Sequence, residues 1–140
     1  VSLWKETIDP ILENLIAHDP EGKEFYEERA ARLKEKMDFL HQEMKDCLQK
    51  VPSNKRYLVT SHDAFHYFTK TYLADPSDGE AWTERFAAPE GLAPDGQLNP
   101  RDIEAIIDYL REKKIAVLFP ESNVSRDSIK KIVSAGRELG

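Results

Sequence analysis

The first apolar residues of the chain recur at helical spacing. They are Leu3, Trp4, Ile8, Ile11, Leu12, Leu15 and Ile16. This spacing predicts a helix over residues 1 to about 17, with Ser2 as its N-cap and a break or kink at Pro10. The turn-forming residues from His18 to Gly22 then predict a turn.

A second helical pattern runs from about Lys23 to Val51 and has a narrow apolar seam on a densely charged surface. Its apolar positions step by three and four: Tyr26, Ala30, Leu33, Met37, Leu40, Met44, Cys47 and Val51. Such a helix is about 40 Å long at ~1.5 Å per residue, which exceeds the width of a small domain. Two interpretations remain open: a coiled-coil segment, or a spine that runs along more than one lobe.

The period changes after Pro52. The tetrad from Tyr57 to Thr60 predicts a β-strand, residues 61–63 a polar turn, and residues 64–68 a helix. Residues 74–99 are rich in proline and glycine, so they predict a long loop with a short extended piece near Phe86.

The last third of the chain predicts a helix, a strand and a second helix. Asn99 and Pro100 are a cap and a first helical residue, and Ile103, Ile106, Ile107 and Leu110 form the buried stripe of that helix. Residues 115–119 are continuously apolar, which predicts a strand buried on both faces. A final helix from about Arg126 would turn Ile129, Ile132 and Val133 inward. The predicted fold class is α/β: a long helix followed by a small, mostly parallel sheet flanked by helices.

Composition excludes several classes of function. The 140 residues carry a formal net charge of −6 with both signs interspersed, which argues against a nucleic-acid partner. The single cysteine, Cys47, excludes an intrachain disulfide and a cysteine-rich zinc site. No apolar run approaches the ~20 residues that a bilayer-spanning helix needs.

The candidate chemistry lies where the two predicted strands end. Parallel strands deliver the residues at their carboxyl ends to one edge of a sheet, where open α/β folds bind ligands. The first strand would deliver His62 and Asp63 to that edge, and the second would deliver Glu121. One imidazole and two carboxylates are ligand types that suit a divalent first-row metal ion.

Each of these residues also has a plain structural interpretation. His62 could cap a helix that begins at Asp63, Asp63 could serve the dipole of that helix, and Glu121 could be an ordinary loop residue. His62 and His66 also have the i, i+4 spacing of a zinc-protease motif, but Asp63 stands where that motif has glutamate.

The residues from Tyr57 to Phe65, followed by Tyr67, Phe68 and Tyr72, resemble the signature of the solute-binding proteins of zinc, manganese and iron ABC importers. The helix from Arg101 to Lys113 and the run from Ile115 to Glu121 agree with the same family in order. The segment between Tyr72 and Ile103 is longer than usual and resembles chlamydial-type members proposed to carry iron.

The resemblance implies two α/β lobes that are joined by one long helix and hold a bare metal ion between them. Residues 1–52 would be the inter-lobe helical segment and residues 53–140 the C-terminal lobe. His62 would be the metal ligand of this lobe, with Glu121 and Asp63 as candidates at the cleft edge. The other ligands would lie outside this chain, in the missing N-terminal lobe of the same protein and beyond Gly140.

The implied function is capture of iron, manganese or zinc as a transported ligand, with no catalytic cofactor and no enzymatic reaction. The partner would be an ABC permease, and the location the periplasm or cell envelope. A small metallohydrolase that uses His62 and His66 and a protein-interaction domain are the competing hypotheses. We expect the isolated chain to bind metal weakly, since one ligand is too few for a closed site, and to self-associate through its seam.

Overall fold

The structure of the chain is a computed structural model that describes residues 1–61, 63–89, 100–122 and 126–138. Residues 1–47 and residues 48–140 form two compact units. This boundary falls inside a long helix, and the sequence-based boundary at residue 52 falls just after that helix ends.

The first unit consists of helices. Helix α1 covers Ser2–Glu6, α2 covers Ile8–His18, and α3 covers Lys23–Gln49 and continues into the second unit. The predicted break at Pro10 is wrong, because the chain breaks at Thr7, whose hydroxyl donates to the carbonyl of Trp4 at 2.7 Å. Pro10 lies in the first turn of α2. Backbone N–H groups in the first turn have no intrahelical acceptor, so proline costs the helix no hydrogen bond there. The predicted cap is also wrong, since Val1 is the N-cap and Ser2 is the first helical residue.

Polar contacts fix how α1 and α2 lie against α3. A 3₁₀ turn at Pro20–Gly22 reverses the chain, and Asp19 accepts hydrogen bonds from the Gly22 amide at 3.3 Å and from the Tyr26 hydroxyl at 2.7 Å. Lys5 Nζ lies 2.6 Å from Asp38 Oδ1, and Lys34 pairs with Asp9. The predicted turn and the predicted long helix are both present.

The apolar side chains of the first unit are largely uncovered. Ile8 and Ala30 are its buried apolar residues. Met37 and Met44 of the seam are half-buried. The exposed large apolar side chains of this unit are Leu3, Trp4, Ile11, Leu15, Phe25, Leu33, Phe39 and Leu40. The seam and the faces beside it thus leave a substantial apolar surface in contact with solvent.

The second unit is organised around a small parallel sheet. Strands β1 (Leu58–Val59) and β2 (Phe86–Ala87) pair in parallel, with Leu58 opposite Phe86 and Val59 opposite Ala87. On the other side of β1, Thr60 forms an isolated parallel bridge with Phe119, and the Phe119 amide donates to the Val59 carbonyl at 2.9 Å.

The predicted strand at residues 115–119 is reduced to this one bridge. Val117 and Phe119 are exposed, Val117 by 57%, so the run is not buried on both faces as its apolar sequence predicts. β1 lies along one edge of the run, and no strand pairs with its other edge among the described residues. The extended piece expected near Phe86 is confirmed as β2.

The helices pack on this sheet as the apolar spacing predicts, with one exception. Helix α4 covers His66–Phe68 and continues as a π-helical turn at Thr69–Leu73, while α5 covers Pro100–Glu112 and α6 covers Asp127–Glu138. The core cluster joins β1, α5 and α6 through Val59, Ile106, Ile107 and Ile132. Val133 was expected to face inward but is 38% exposed, whereas Ile132 beside it is 1% exposed.

Residues 74–89 are more ordered than the predicted loop. They include a 3₁₀ helix at Gly79–Arg85 that leads directly into β2. The rest of the predicted loop, residues 90–99, lies outside the described residues, as does the predicted cap Asn99. Tyr109 of α5 donates to the carbonyl of Glu84 at 2.6 Å, so α5 also holds the 3₁₀ helix.

Two buried arginines anchor this segment at the amino ends of the strands. The Arg85 guanidinium binds both carboxylate oxygens of Asp78 and donates to the Ser53 carbonyl at 2.6 Å. Arg56 binds Asp75 at 2.8 Å and also pairs with Gln49. Since Arg56 precedes β1 and Arg85 precedes β2, this network lies at the end of the sheet away from the candidate site.

The predicted fold class is confirmed: helices flank a small parallel sheet that follows a long helix. Within the described residues, no helix combines the length and the apolar character needed to cross a membrane.

Candidate metal-binding edge of the sheet

The strand pairings bring two polar turns to one edge of the second unit. Thr60 and Phe119 are bridged in parallel, so the chain leaves both residues in the same direction. Ser61 and Asp63 follow the first, and Pro120 and Glu121 follow the second. The carboxyl edge of a parallel sheet is where open α/β folds bind ligands.

His62, the predicted metal ligand, lies outside the described residues. Its role and its predicted place beside Glu121 stay predictions. The neighbours of His62 in sequence are described: Ser61 is fully buried and Asp63 is half-buried. Glu121 is half-buried as well.

Asp63 does not belong to a helix. Because α4 begins at His66 with Phe65 as its N-cap, the interpretation of Asp63 as a first-turn carboxylate that serves the helix dipole is wrong. The proposed cap at the start of a helix beginning at Asp63 fails for the same reason. Asp63 lies instead in the turn between β1 and α4.

The Asp63 carboxylate contacts an imidazole. His66 Nδ1 lies 2.7 Å from Asp63 Oδ1, and the two side chains are 51% and 25% exposed. This contact does not have the angle of a hydrogen bond. Asp63 Oδ1 also accepts no hydrogen bond from any other residue that the structure describes. The 2.7 Å separation is nevertheless a close polar contact, which is attractive when Nδ1 carries its hydrogen.

The imidazole of His66 is held by two aromatic rings from the segment before β2 and from β2 itself. The centroid of the Phe86 ring lies 4.9 Å from that of His66 with the planes at 67°, and the Trp82 ring lies at 6.1 Å and 89°. These edge-to-face arrangements are favourable geometries for ring pairs. His66 therefore connects the turn that carries Asp63 to residues 82–86.

Buried hydroxyl groups lie in the turn after β1 and at the residue that follows α4. Ser61 Oγ and Thr69 Oγ1 are buried and have no hydrogen-bond partner among the residues that the structure describes. A buried hydroxyl without a partner costs roughly 1–3 kcal/mol, so such groups are usually retained for a reason other than stability. The sequence placed Ser61 in the polar turn after the first strand without giving it a role, and it did not indicate Thr69.

The described side chains do not by themselves form a closed metal site. Across residues 1–61, 63–89, 100–122 and 126–138, no group of three or more His, Cys, Asp or Glu side chains is close enough to hold an ion. Asp63 and Glu121 are thus two candidate metal ligands at one edge, and no third candidate ligand lies close to both of them among the described residues. The i, i+3 spacing of Asp63 and His66 is visible in the sequence. The sequence, however, suggested His66 only as a possible partner of His62.

Comparison with known proteins identifies the family. The sequence model of the zinc-uptake complex component A, a periplasmic protein called ZnuA, matches residues 1–140. The chain belongs to the ZnuA family. The family resemblance predicted from the residues around His62 is confirmed, and so is the solute-binding character of the family.

Several ZnuA-family proteins match nearly the whole chain. The metal-binding protein YtgA of Chlamydia pneumoniae is 42% identical over 137 residues, which cover 96% of this chain and 42% of that protein. The manganese-binding lipoprotein MntA of Bacillus subtilis is 29% identical over 140 residues, which cover 100% of this chain and 42% of that protein.

A solved structure shows the same fold. The crystal structure of Fe(III)-bound YtgA from Chlamydia trachomatis superimposes with a TM-score of 0.89 at 32% identity, over 96% of this chain and 48% of that one. The chain therefore spans less than half the length of the ZnuA-family proteins it matches.

Proposed function

We propose that this chain is part of the solute-binding component of an ABC importer for a transition-metal ion. The observation that carries the proposal is the parallel bridge between Thr60 and Phe119, which directs the turns bearing Asp63 and Glu121 to one edge. His62 stands in the first of these turns by sequence. A solute-binding role makes and breaks no covalent bond, so we propose that the protein is not an enzyme.

In this proposal His62 binds the ion through its imidazole, and Asp63 and Glu121 contribute negative charge at the cleft edge. Neutral imidazole and carboxylate suit iron, manganese and zinc alike, so ligand type does not select among them. Iron is the first ion to test, because the chlamydial relative of known structure binds Fe(III). Manganese is the second, since the Bacillus relative is a manganese-binding lipoprotein.

The rest of the proposal concerns the whole protein. Residues 1–52 would form the inter-lobe helical segment and residues 53–140 the C-terminal lobe. An N-terminal lobe of the same protein would supply further ligands from the other side of the ion. The complete protein would act in the periplasm or cell envelope and deliver the ion to an ABC permease.

The competing metallohydrolase would use His62 and His66 as a pair. His66 already contacts Asp63 through Nδ1, and its ring packs against Phe86 and Trp82. These contacts favour a supporting role for His66 over a metal-binding one. Hydrolysis would also require a positioned base beside an open coordination position.

Calorimetric titration of the full-length gene product with ferric, ferrous, manganous and zinc ions tests the proposal. The His62→Ala variant should lose affinity by more than ~100-fold, because loss of a coordinating group exceeds the ~10–100-fold effect of an outer-shell change. His18→Ala is the matched control, since the His18 ring is engaged within α2 by the Asn14 carbonyl at 2.9 Å.

Equal affinity of the His62→Ala variant and the unaltered protein would refute the assignment of His62. Residues 1–140 alone should bind these ions weakly and with little dependence on His62, because a closed site usually needs three or four protein donors. Tight binding by the chain alone, lost on substitution of His62, would show that this lobe carries a complete site.

A further inference from the structure

We propose that His66 is a positioning residue that fixes the metal-binding turn by holding Asp63, and that Trp82 and Phe86 hold His66 in place. This inference rests on the proposed function and adds to it a role for the segment from residue 74 to residue 87. The geometry that carries it is a continuous chain of contacts from Trp82 and Phe86 through the imidazole to Asp63.

The first link is the contact between Asp63 and His66. The 2.7 Å separation of Nδ1 and Oδ1 restricts the rotamer of Asp63 and the backbone that carries it. Asp63 itself lies in neither element, because β1 ends at Val59 and α4 begins at His66. The side-chain contact therefore ties Asp63 to the first residue of α4. Asp63 follows His62 directly, so restricting Asp63 also restricts the metal-binding turn.

The second link is the aromatic support of His66. A half-exposed imidazole would otherwise sample several rotamers, and ordering it costs conformational entropy. Phe86 is a buried residue of β2, so its ring is itself fixed by the sheet register opposite Leu58. The edge of the Phe86 ring thus gives His66 a rigid surface to pack on.

The third link explains why the support is rigid. Trp82 lies in the 3₁₀ helix, whose last residue, Arg85, is anchored to Asp78 and Ser53. Tyr109 of α5 and Lys113, which directly follows α5, bind Glu84 of the same 3₁₀ helix at 2.6 Å and 3.0 Å. The segment from residue 74 to residue 87 therefore presents a fixed aromatic surface to His66.

Outer-shell groups that orient metal-binding side chains typically change affinity by ~10–100-fold when removed. A test therefore uses the full-length gene product and Co²⁺ as the probe, because Co²⁺ reports both affinity and coordination geometry through its visible absorption. We expect His66→Ala to weaken Co²⁺ binding by about 10-fold or more and to change the shape of the visible spectrum.

A rescue variant separates positioning from folding. His66→Asn keeps an N–H donor near the place of Nδ1 and should recover affinity to within about 3-fold of the unaltered protein. His66→Gln moves the donor one bond further out and should recover less. If His66→Ala does not fold, the difference between the Asn and Gln variants still tests the proposal. His18→Ala and His18→Asn are the matched controls and should change neither affinity nor spectrum.

Trp82→Ala tests the aromatic support. It should weaken binding by a smaller factor than His66→Ala, and its effect should vanish in a protein that already carries His66→Ala, because the two residues act in series. If Trp82→Ala weakens binding by the same factor in the unaltered protein and in the His66→Ala variant, this part of the proposal is overturned.

Other outcomes discriminate between this inference and the proposed function. Loss of binding in His62→Ala together with unchanged affinity and spectrum in His66→Ala would leave the proposed function standing and refute the role of His66. No Co²⁺ binding by the unaltered full-length protein would refute both. Weak binding with an unchanged spectrum in His66→Ala, not recovered by asparagine, would show a general loss of stability and also refute positioning.

Discussion

Arg85 binds both carboxylate oxygens of Asp78, with Nη2 2.9 Å from Oδ1 and Nε donating to Oδ2. The arginine side chain is 9% exposed, so this fork-like pair is largely removed from solvent. Arg85 also donates to the Ser53 carbonyl, which links the 3₁₀ helix before β2 to the chain before β1. The pair therefore stabilises the sheet from its amino end.

Asp78→Ala should destabilise the protein by about 2–3 kcal/mol, because it leaves the buried Arg85 guanidinium without its anion. Chemical denaturation followed by circular dichroism measures this change. The control is Lys130→Ala, which removes an exposed pair with Asp127 at 3.3 Å and should cost less than about 0.5 kcal/mol. Equal losses in the two variants would contradict the structural role of Asp78.

The same pair predicts how stability depends on pH. Hydrogen bonding by Arg85 lowers the pKa of Asp78 from 3.8 to about 2. Because the folded protein holds this proton less tightly than the unfolded chain, the stabilisation is present above about pH 4 and is lost as the pH falls towards 2. The Asp75 carboxyl, whose pKa is lowered by hydrogen bonds from Ser77 and Arg56, adds a loss of the same sign.

Unfolding free energies measured between pH 5 and pH 2 would test this dependence. The Asp78→Asn variant should lose less stability over that range than the unaltered protein, since asparagine does not titrate. An identical slope in the two proteins would show that Asp78 is not the titrating group.

Two glycines should respond oppositely to alanine. A Cβ at Gly22 would lie 2.6 Å from Cε2 of Tyr26 and 2.8 Å from Oδ2 of Asp19, so Gly22→Ala must disturb the turn before α3 and should cost about 1–2 kcal/mol. Gly136 lies within α6, and beyond its own helix backbone the described residues place no atom within 4 Å of such a Cβ, so Gly136→Ala should stabilise by about 0.5–1 kcal/mol. Thermal unfolding of both variants should shift in opposite directions, and shifts of the same sign would contradict the structure.

The uncovered apolar surface of the first unit predicts self-association of the isolated chain. Leu33 and Leu40 are exposed on α3, as are Trp4 and Phe39. Contiguous apolar surface of this kind promotes association in water. Sedimentation velocity of residues 1–140 should show a concentration-dependent dimer or larger species, and Leu40→Glu should shift it towards monomer. Lys45→Glu is a control on an exposed charged position of another face of the same helix. A concentration-independent monomer would refute the prediction.

Periodicity alone determined most of the elements. The seam from Tyr26 to Met44 predicted α3, Pro100 marked the start of α5, and the stripe from Ile103 to Leu110 predicted its buried face. These predictions succeed because an amphipathic helix of several turns repeats its pattern often enough to be recognised without tertiary information. The family was recognisable for a different reason, since the residues around His62 form a specific local signature.

Only the tertiary structure decided how the short elements end and pair. The apolar run at residues 115–119 predicts a buried strand, yet pairing depends on neighbours that no local pattern specifies, and the run makes one bridge at Phe119. The 3₁₀ helix at Gly79–Arg85 depends on contacts of Arg85 and Glu84 with residues distant in sequence. Likewise, Asp63 became the partner of His66 because α4 begins two residues later than its composition predicts, which leaves Asp63 in a turn where its carboxylate reaches the imidazole.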